Sequence, residues 1–298
     1  MKLSEERKGE IFVLLQAILW GFYPIITILS FQKLSPLVSL AWSSFFAAIF
    51  FAITLSIEKK WHELKNTSAL KDTLVAAFLT GIVCYTLSFF GLQHTSAGNA
   101  SIISLTDVLA SFLFFHIWRK DYISKQHIIG SILVVIGALI VLYPNATDFH
   151  LGDILILIAA FVAPFGNFFQ RKARNVVGSE SIIFVRSLIS TVFIFFLSYA
   201  LKLDPSYQNV KDSLFFLVVN GFLLLGLSKI LWIEGIHRIS VTKSSALSST
   251  SPLLTLLFAW IFLKNSPTAW QLISFVPIFF GVIFLSNNKT SNKVNEKR

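Results

Sequence analysis

The sequence predicts an all-α integral membrane protein with ten transmembrane helices, built as two inverted five-helix repeats. Three observations support this: the composition, the number of long apolar segments, and a similarity between the two halves of the chain. Hydrophobic residues make up 55% of the 298 residues, charged residues only 13%, and the mean hydropathy is +0.72. A soluble globular protein carries about 25% charged residues. This composition therefore excludes a soluble enzyme, a nucleic-acid-binding domain and a disordered chain.

Ten apolar segments each have about the length that crosses a bilayer as a helix. The segments are continuously apolar rather than alternating, which favours helices over the strands of a barrel. The first segment follows a charged N-terminus, but it is long and lacks a small-x-small cleavage site, so we interpret it as a span rather than a signal peptide. The ten segments cover residues 11–31, 36–57, 73–92, 97–118, 127–142, 152–170, 181–201, 214–234, 241–263 and 270–286.

The Lys and Arg residues predict the orientation of these segments. With the N-terminus inside, 19 of the 25 fall in inside segments, four fall in outside segments, and Arg186 and Lys229 lie within helices. Because cytoplasmic loops carry an excess of positive charge, this split predicts an even number of spans with both ends in the cytoplasm, as in a bacterial inner membrane. The net charge of +10 is then a topology signal, with anionic lipid headgroups as its partner and no nucleic acid.

The two halves of the chain resemble each other when the sequence is shifted by 144 residues. The shift places Gly91 on Gly235 and gives twelve identities in 52 ungapped positions. It also places the third, fourth and fifth segments on the eighth, ninth and tenth. Five spans is an odd number, so the second repeat (152–286) enters the membrane upside down relative to the first (11–144). Residues 1–10 and 287–298 form the cytoplasmic ends. Inverted repeats of this kind are typical of secondary transporters, which work by alternating access.

Three short features stand out in the helices. The first helix carries the A-x-x-W-G pattern at residues 17–21, helix 7 carries Arg186, and helix 9 carries the x-P-L pattern at 251–253. These features resemble those of the drug/metabolite transporter superfamily, EamA type, which often has an arginine at the position of Arg186. Two features depart from the family pattern: Trp-Arg-Lys at 118–120 replaces L-G-E, and Val108 replaces a proline. The resemblance covers nearly the whole chain, and it implies a ten-helix transporter fold with a central substrate cavity.

Asp107 is predicted to lie near the middle of the membrane, in helix 4. A charge at that depth costs about 2.5–3.5 kcal/mol on insertion scales. The carboxyl group therefore either forms a buried ion pair or a hydrogen bond in its protonated form, or it serves transport. We favour transport, in which Asp107 carries a coupling proton or binds a substrate ammonium.

Two basic residues also fall within helices. Lys229 lies late in helix 8, where snorkelling to the membrane surface and a role in binding are about equally favoured. In the second case it holds a substrate carboxylate or neutralises Asp107. For Arg186, near the start of helix 7, snorkelling or helix-end packing is favoured over substrate contact.

Other polar and aromatic residues complete the predicted substrate site. Residues on helix 1 that are three or four apart share one face, and aromatic rings on such faces bind cations or stack on ligands. Lipid contact and helix packing are the alternatives for each of them, and Pro252 is expected to free a backbone carbonyl. The predicted substrate-binding residues are Gln16, Trp20, Tyr23, Tyr85, Asp107, Asn167, Lys229, Trp232, Ser248 and Pro252.

The predicted function is transport of a small organic metabolite, with amino acids and related amines favoured, by a monomer or a homodimer. The alternative is a polytopic membrane enzyme acting on a lipid-linked substrate, but the short loops lack a DxxD motif. A channel is a third interpretation, without a filter-like run to support it. No cofactor is expected. The single cysteine, Cys84, excludes an intramolecular disulfide, and no His, Cys, Asp or Glu pair has the spacing of metal ligands.

Overall fold

A computed structural model describes residues 4–119, 125–143, 150–203, 206–239 and 247–286. These residues form ten apolar helices and a short 3-10 helix (Trp61–Lys65), and no strand occurs among them. Eight helices are long and apolar enough to cross a membrane, and two are shorter apolar helices. The helices are α1 (Glu5–Ser30), α2 (Pro36–Glu58), α3 (Thr67–Gln93), α4 (Ala97–Ser104 and Thr106–Arg119), α5 (Lys125–Leu142), α6 (Leu151–Arg174), α7 (Ser179–Ala200), α8 (Tyr207–Val219, Asn220–Leu227 and Ser228–Arg238), α9 (Ser251–Leu263) and α10 (Ala269–Ser286). The predicted fold class is confirmed.

Polar caps fix where several helices begin. Ser35, Ser96 and Ser206 each accept a hydrogen bond from a backbone N–H in the first turn of the following helix. Pro36 occupies the first position of α2, where a backbone N–H has no acceptor within the helix. The missing N–H of proline therefore loses no hydrogen bond there. Because these caps lie in the short connections between apolar stretches, the sequence both starts the helices and limits the loops.

The packing of the helices follows a two-fold pseudo-symmetry. Helix α2 packs on α7 and α5 on α10, while α4 contacts α9. Helix α1 packs on α8 and α9, and α6 packs correspondingly on α3 and α4. Exchanging each helix with the one five places later leaves this pattern unchanged. Since each repeat has five spans, the two copies cross the membrane in opposite directions.

Two kinds of helix irregularity occur at equivalent places in both repeats. Wide π turns occupy Ala77–Cys84 in α3 and Asn220–Leu227 in α8. Helix α4 is interrupted at Leu105, and a turn at residues 249–250 precedes α9. Irregular turns of these types are common at functional sites and in transporters. The π turn of α3 ends directly before Tyr85, and that of α8 ends two residues before Lys229.

The π turn of α3 allows a close approach to α7. A Cβ atom added at Gly81 would overlap the Ser190 hydroxyl and would lie 2.8 Å from Cγ of Arg186. Only glycine fits here without a shift of its neighbours. This contact brings the α3 backbone against the helix that carries Arg186.

Candidate functional site

Aromatic and basic side chains from both repeats meet near the middle of the helix bundle. Trp20 stacks on Tyr23 with ring centroids 4.5 Å apart and an interplanar angle of 2°. The Lys229 ammonium lies 3.4 Å from the centroid of the Trp20 ring. The Arg186 guanidinium lies 5.6 Å from the centroid of Tyr85. We call Trp20, Tyr23, Tyr85, Arg186 and Lys229 the central cluster.

The two cation–ring pairs of the central cluster lie close to each other. The charges of Lys229 and Arg186 are near enough to interact, and the Tyr23 and Tyr85 hydroxyls also interact electrostatically. The rings come from α1 and α3 and the cations from α7 and α8. A movement of one repeat relative to the other therefore changes this cluster directly.

Asp107 faces the same region from α4. It lies in the first turn after the interruption at Leu105, where the helix dipole favours a negative charge. It interacts electrostatically with Lys229 and with the Cys84 thiol. Among the described ion pairs, however, none joins Asp107 to Lys229 within 4.0 Å. The acid and the base share one region without forming a direct contact.

Arg186 departs from the sequence-based expectation. It was expected to snorkel or to pack at a helix end, but the residue is 5% exposed and its guanidinium points towards Tyr85. Arg186 forms a hydrogen bond with the Tyr85 hydroxyl and donates a long one, 3.5 Å, to Oε1 of Gln170. Arg186 lies eight residues after Gly178, which is about 12 Å along a helix. The predicted span begins at residue 181, only five residues before Arg186, so hydropathy alone did not distinguish burial from snorkelling.

Gln16 and Ser248 meet each other at the contact between α1 and α9. The Ser248 hydroxyl donates to Oε1 of Gln16 at 3.2 Å, and Gln16 is only 6% exposed. Nearby, the Thr255 hydroxyl donates to the Gly21 carbonyl at 3.0 Å. These bonds join the first helix of one repeat to the broken helix of the other.

Pro252 differs from its prediction as well. It lies buried in the first turn of α9, where no N–H is needed for the helical ladder. Pro252 therefore does not interrupt the hydrogen bonds of α9, and its predicted contribution to the substrate site stays a prediction. The irregular backbone lies just before it, at the turn of residues 249–250.

Asn167 and Trp232 lie apart from the central cluster in the described structure. Asn167 is exposed on α6. Trp232 packs on an apolar group that includes Phe51, Ile183 and Ile233, between α2, α7 and α8. Neither residue makes a described contact with a ring or a cation of the cluster.

A separate cavity of about 720 Å³ lies at the N-terminal end of α4. Its lining includes Ser96, Asn99 and Gln271, with the Gln271 amide donating to Oδ1 of Asn99 at 2.7 Å. It lies at the membrane end that the charge rule predicts to be outside. Within the described part of the chain, no group of three or more His, Cys, Asp or Glu residues is arranged to hold a metal ion.

Comparisons with known proteins agree with this architecture. The chain is 18% identical over 281 residues to the uncharacterized transporter YoaV of Bacillus subtilis, covering 93% of this chain and 96% of that one. It is 22% identical to an uncharacterized transporter of Clostridium kluyveri, covering 97% of each. It is also 19% identical to an uncharacterized transporter of Synechocystis. That match covers 73% of this chain and 66% of the relative.

A solved crystal structure matches the fold with a TM-score of 0.69, covering 97% of this chain and 99% of that chain at 14% identity. At that identity the likeness concerns the fold alone. The model of the EamA-like transporter family matches twice, at residues 7–143 and 150–287. These two matches take in both five-helix halves and every residue of the central cluster. The chain belongs to the EamA-like transporter family.

Proposed function

We propose that this protein is a secondary transporter that moves a small organic metabolite across the bacterial inner membrane by alternating access. Amino acids and related amines are the candidate substrates, and both ends of the chain lie in the cytoplasm. The observation that carries the proposal is the composition of the central cluster: Trp20 and Tyr85 from the first repeat meet Arg186 and Lys229 from the second. A substrate bound there contacts both repeats, so their relative motion exposes it to one side and then to the other.

The side chains around the cluster suit a small polar solute. Ring faces bind cations and stack on flat groups, while the buried charges orient a ligand by complementary charge. Asp107 lies within interaction range of Lys229, at the interruption of α4. Transporters of other folds place substrates and coupling ions at such interruptions. We assign Asp107 the binding of a substrate ammonium or of a coupling proton.

The symmetric backbone supports alternating access. The π turns of α3 and α8 and the breaks of α4 and α9 occur at equivalent places in the two repeats. If the two repeats exchange shapes, the inward-open and outward-open states have related packing and similar energies. A single substrate then shifts the population by its own differential affinity.

Transport in proteoliposomes tests the proposal. Labelled amino acids and amines are offered with and without an imposed proton gradient, and the Asp107→Asn variant is compared with Asp212→Asn. Asp212 makes the matched control because it lies on the exposed start of α8 and pairs with Lys33. We expect the gradient to drive accumulation in the unmodified protein and in Asp212→Asn, and to have no effect in Asp107→Asn. Undiminished transport by Asp107→Asn with unchanged pH dependence would remove Asp107 from the mechanism.

Binding is measured in parallel by thermal unfolding of the purified protein. A ligand that binds only the folded state at 100 times its dissociation constant adds about 2.7 kcal/mol to the free energy of unfolding. An upward shift of Tm therefore identifies ligands independently of transport. If no compound shifts Tm and none accumulates, amino acids and amines are excluded as substrates.

A further inference from the structure

The central cluster holds more positive than negative charge. Its titratable groups are Lys229 and Arg186, the acid Asp107, and the neutral Tyr23, Tyr85 and Cys84. We propose that Lys229 and Arg186 form an anion subsite, and that the transported substrate carries a carboxylate bound by these two cations. This inference rests on the proposed transport function and narrows its substrate class, because simple amines lack the required group.

The two cations do not find full partners within the described protein. Among the described contacts, Lys229 lies on the Trp20 ring and forms no ion pair within 4.0 Å. Arg186 meets the Tyr85 ring, interacts with the Tyr85 hydroxyl through a hydrogen bond, and donates one long hydrogen bond to Gln170, which uses only part of its donors. A guanidinium carries five N–H donors in a planar fork that matches a carboxylate. Donors of Arg186 are therefore available to a ligand.

Asp107 does not remove the need for an anion. One carboxylate balances at most one of two cations, and it interacts with Lys229 without direct contact. Two like charges buried within range of each other also repel. A bound carboxylate would place a second anion against the two cations, and Asp107 would remain opposite Lys229 or a substrate ammonium.

The aromatic rings hold the cations without neutralising them. A cation over a ring face is attracted by the ring quadrupole but keeps its net charge. Trp20 in turn is fixed by its stack on Tyr23, whose ring is 7% exposed. The rings thus hold Lys229 and Arg186 in position, and the positive charges of both remain available to bind an anion. This arrangement suits reversible binding.

Matched sets of compounds test the subsite. Each set contains four compounds. Two carry the carboxylate: an amino acid and the corresponding acid without the amino group. Two lack the negative charge: the amide of the amino acid and the corresponding amine without the carboxyl group. Thermal shift and uptake into proteoliposomes are measured for each member. We expect both acids to raise Tm and to be transported, and we expect the amide and the amine to be weaker by about tenfold or more, which is the scale of one charge-assisted hydrogen bond.

Charge variants locate the effect. Lys229→Gln and Arg186→Gln are compared with Lys71→Gln, which removes an exposed charge from the start of α3. We expect each cluster variant to weaken acid binding by about tenfold or more, and Lys71→Gln to leave it unchanged. If a glutamine variant fails to fold, Lys229→Arg and Arg186→Lys keep the charge and are expected to retain part of the binding.

The stability of the ligand-free protein gives a second readout. Removing one of two insufficiently paired cations should raise its Tm, whereas removing a cation from a structural ion pair should lower it. Equal responses to acids and amides, or unchanged acid binding in Lys229→Gln and Arg186→Gln, overturn the subsite while transport stands. If no member of any set binds or moves, the proposed substrates fail and the subsite fails with them.

Discussion

The first repeat supplies the missing cap of a helix in the second repeat, and this contact yields a quantitative prediction. Helix α7 begins after Gly178, whose lack of a side chain leaves the first turn without its own cap. Glu63, from the short 3-10 helix Trp61–Lys65, fills that role. Its Oε2 accepts a hydrogen bond from the Gly178 N–H at 2.6 Å and another from the Ser181 hydroxyl at 2.7 Å. The carboxylate also lies at the positive end of the helix dipole.

We expect Glu63→Gln to lower the free energy of unfolding by about 2–3 kcal/mol. A hydrogen bond to a charged group contributes about 1.5–3 kcal/mol and a neutral one about 0.5–1.5 kcal/mol, so each of two bonds loses about 1 kcal/mol. The interaction with the helix dipole contributes about 0.3–1 kcal/mol more. Glu63→Ala should cost more than Glu63→Gln, because the Gly178 N–H then loses its acceptor altogether.

Equilibrium unfolding in mixed detergent micelles measures this change. The control is Glu58→Gln, since Glu58 pairs only with Lys60 in the described structure and both side chains are about one-third exposed. Such a surface pair contributes about 0–1 kcal/mol. A double-mutant cycle with Ser181→Ala should show coupling to Glu63. Surface substitutions ordinarily change the free energy of unfolding by up to about 0.5 kcal/mol. A smaller loss than this in Glu63→Gln would refute the inter-repeat cap. Strict additivity of Glu63→Gln and Ser181→Ala would also refute it.

Two further predictions concern the π turns. Gly81→Val should lower the free energy of unfolding by about 1–3 kcal/mol, because the new side chain overlaps the α7 surface and displaces Arg186. We expect both the Tm of the ligand-free protein and the ligand-induced rise in Tm to fall. An unchanged ligand-induced rise in Tm would contradict the displacement of Arg186. Asn220→Ala should lower the free energy of unfolding by only about 1 kcal/mol. The Asn220 amide donates hydrogen bonds to the Thr27 and Ser43 hydroxyls at 3.3 Å each, and each such bond contributes about 0.6 kcal/mol in membranes. A loss above about 3 kcal/mol in micelle unfolding would show that Asn220 does more than link three helices.

The sequence predicted which segments are helical better than it predicted where each helix ends. The third span was expected to begin at residue 73, but α3 begins at Thr67, and the eighth was expected at 214, but α8 begins at Tyr207. Hydropathy reports where the chain meets lipid. Helix ends are set by caps, and Asn66 and Ser206 start these two helices in polar sequence, outside the apolar stretch.

The candidate site was predictable in its chemistry but only partly in its geometry. Trp20, Tyr23 and Lys229 were singled out as polar or aromatic residues at depth, and the structure brings them together. Arg186 was assigned to the membrane surface because it lies close to the start of the predicted seventh span, and only the packing of α7 shows that it is buried. Helices that are apolar all round do not reveal which face points inward, so the sequence could not show that Trp232 packs away from the cluster.

The symmetry of this protein lies in its backbone, while the chemistry of the cluster is asymmetric. Tyr85 corresponds to Lys229, and Asp107 corresponds to Ser251, under the shift of 144 residues. Arg186 corresponds to Trp42, whose ring lies among Phe46 and other phenylalanines. Equivalent π turns and helix breaks allow two states of similar energy, which a transporter needs in order to move between them. A substrate has no such two-fold symmetry. The first repeat therefore provides the acid and all three rings of the cluster, and the second provides the two cations.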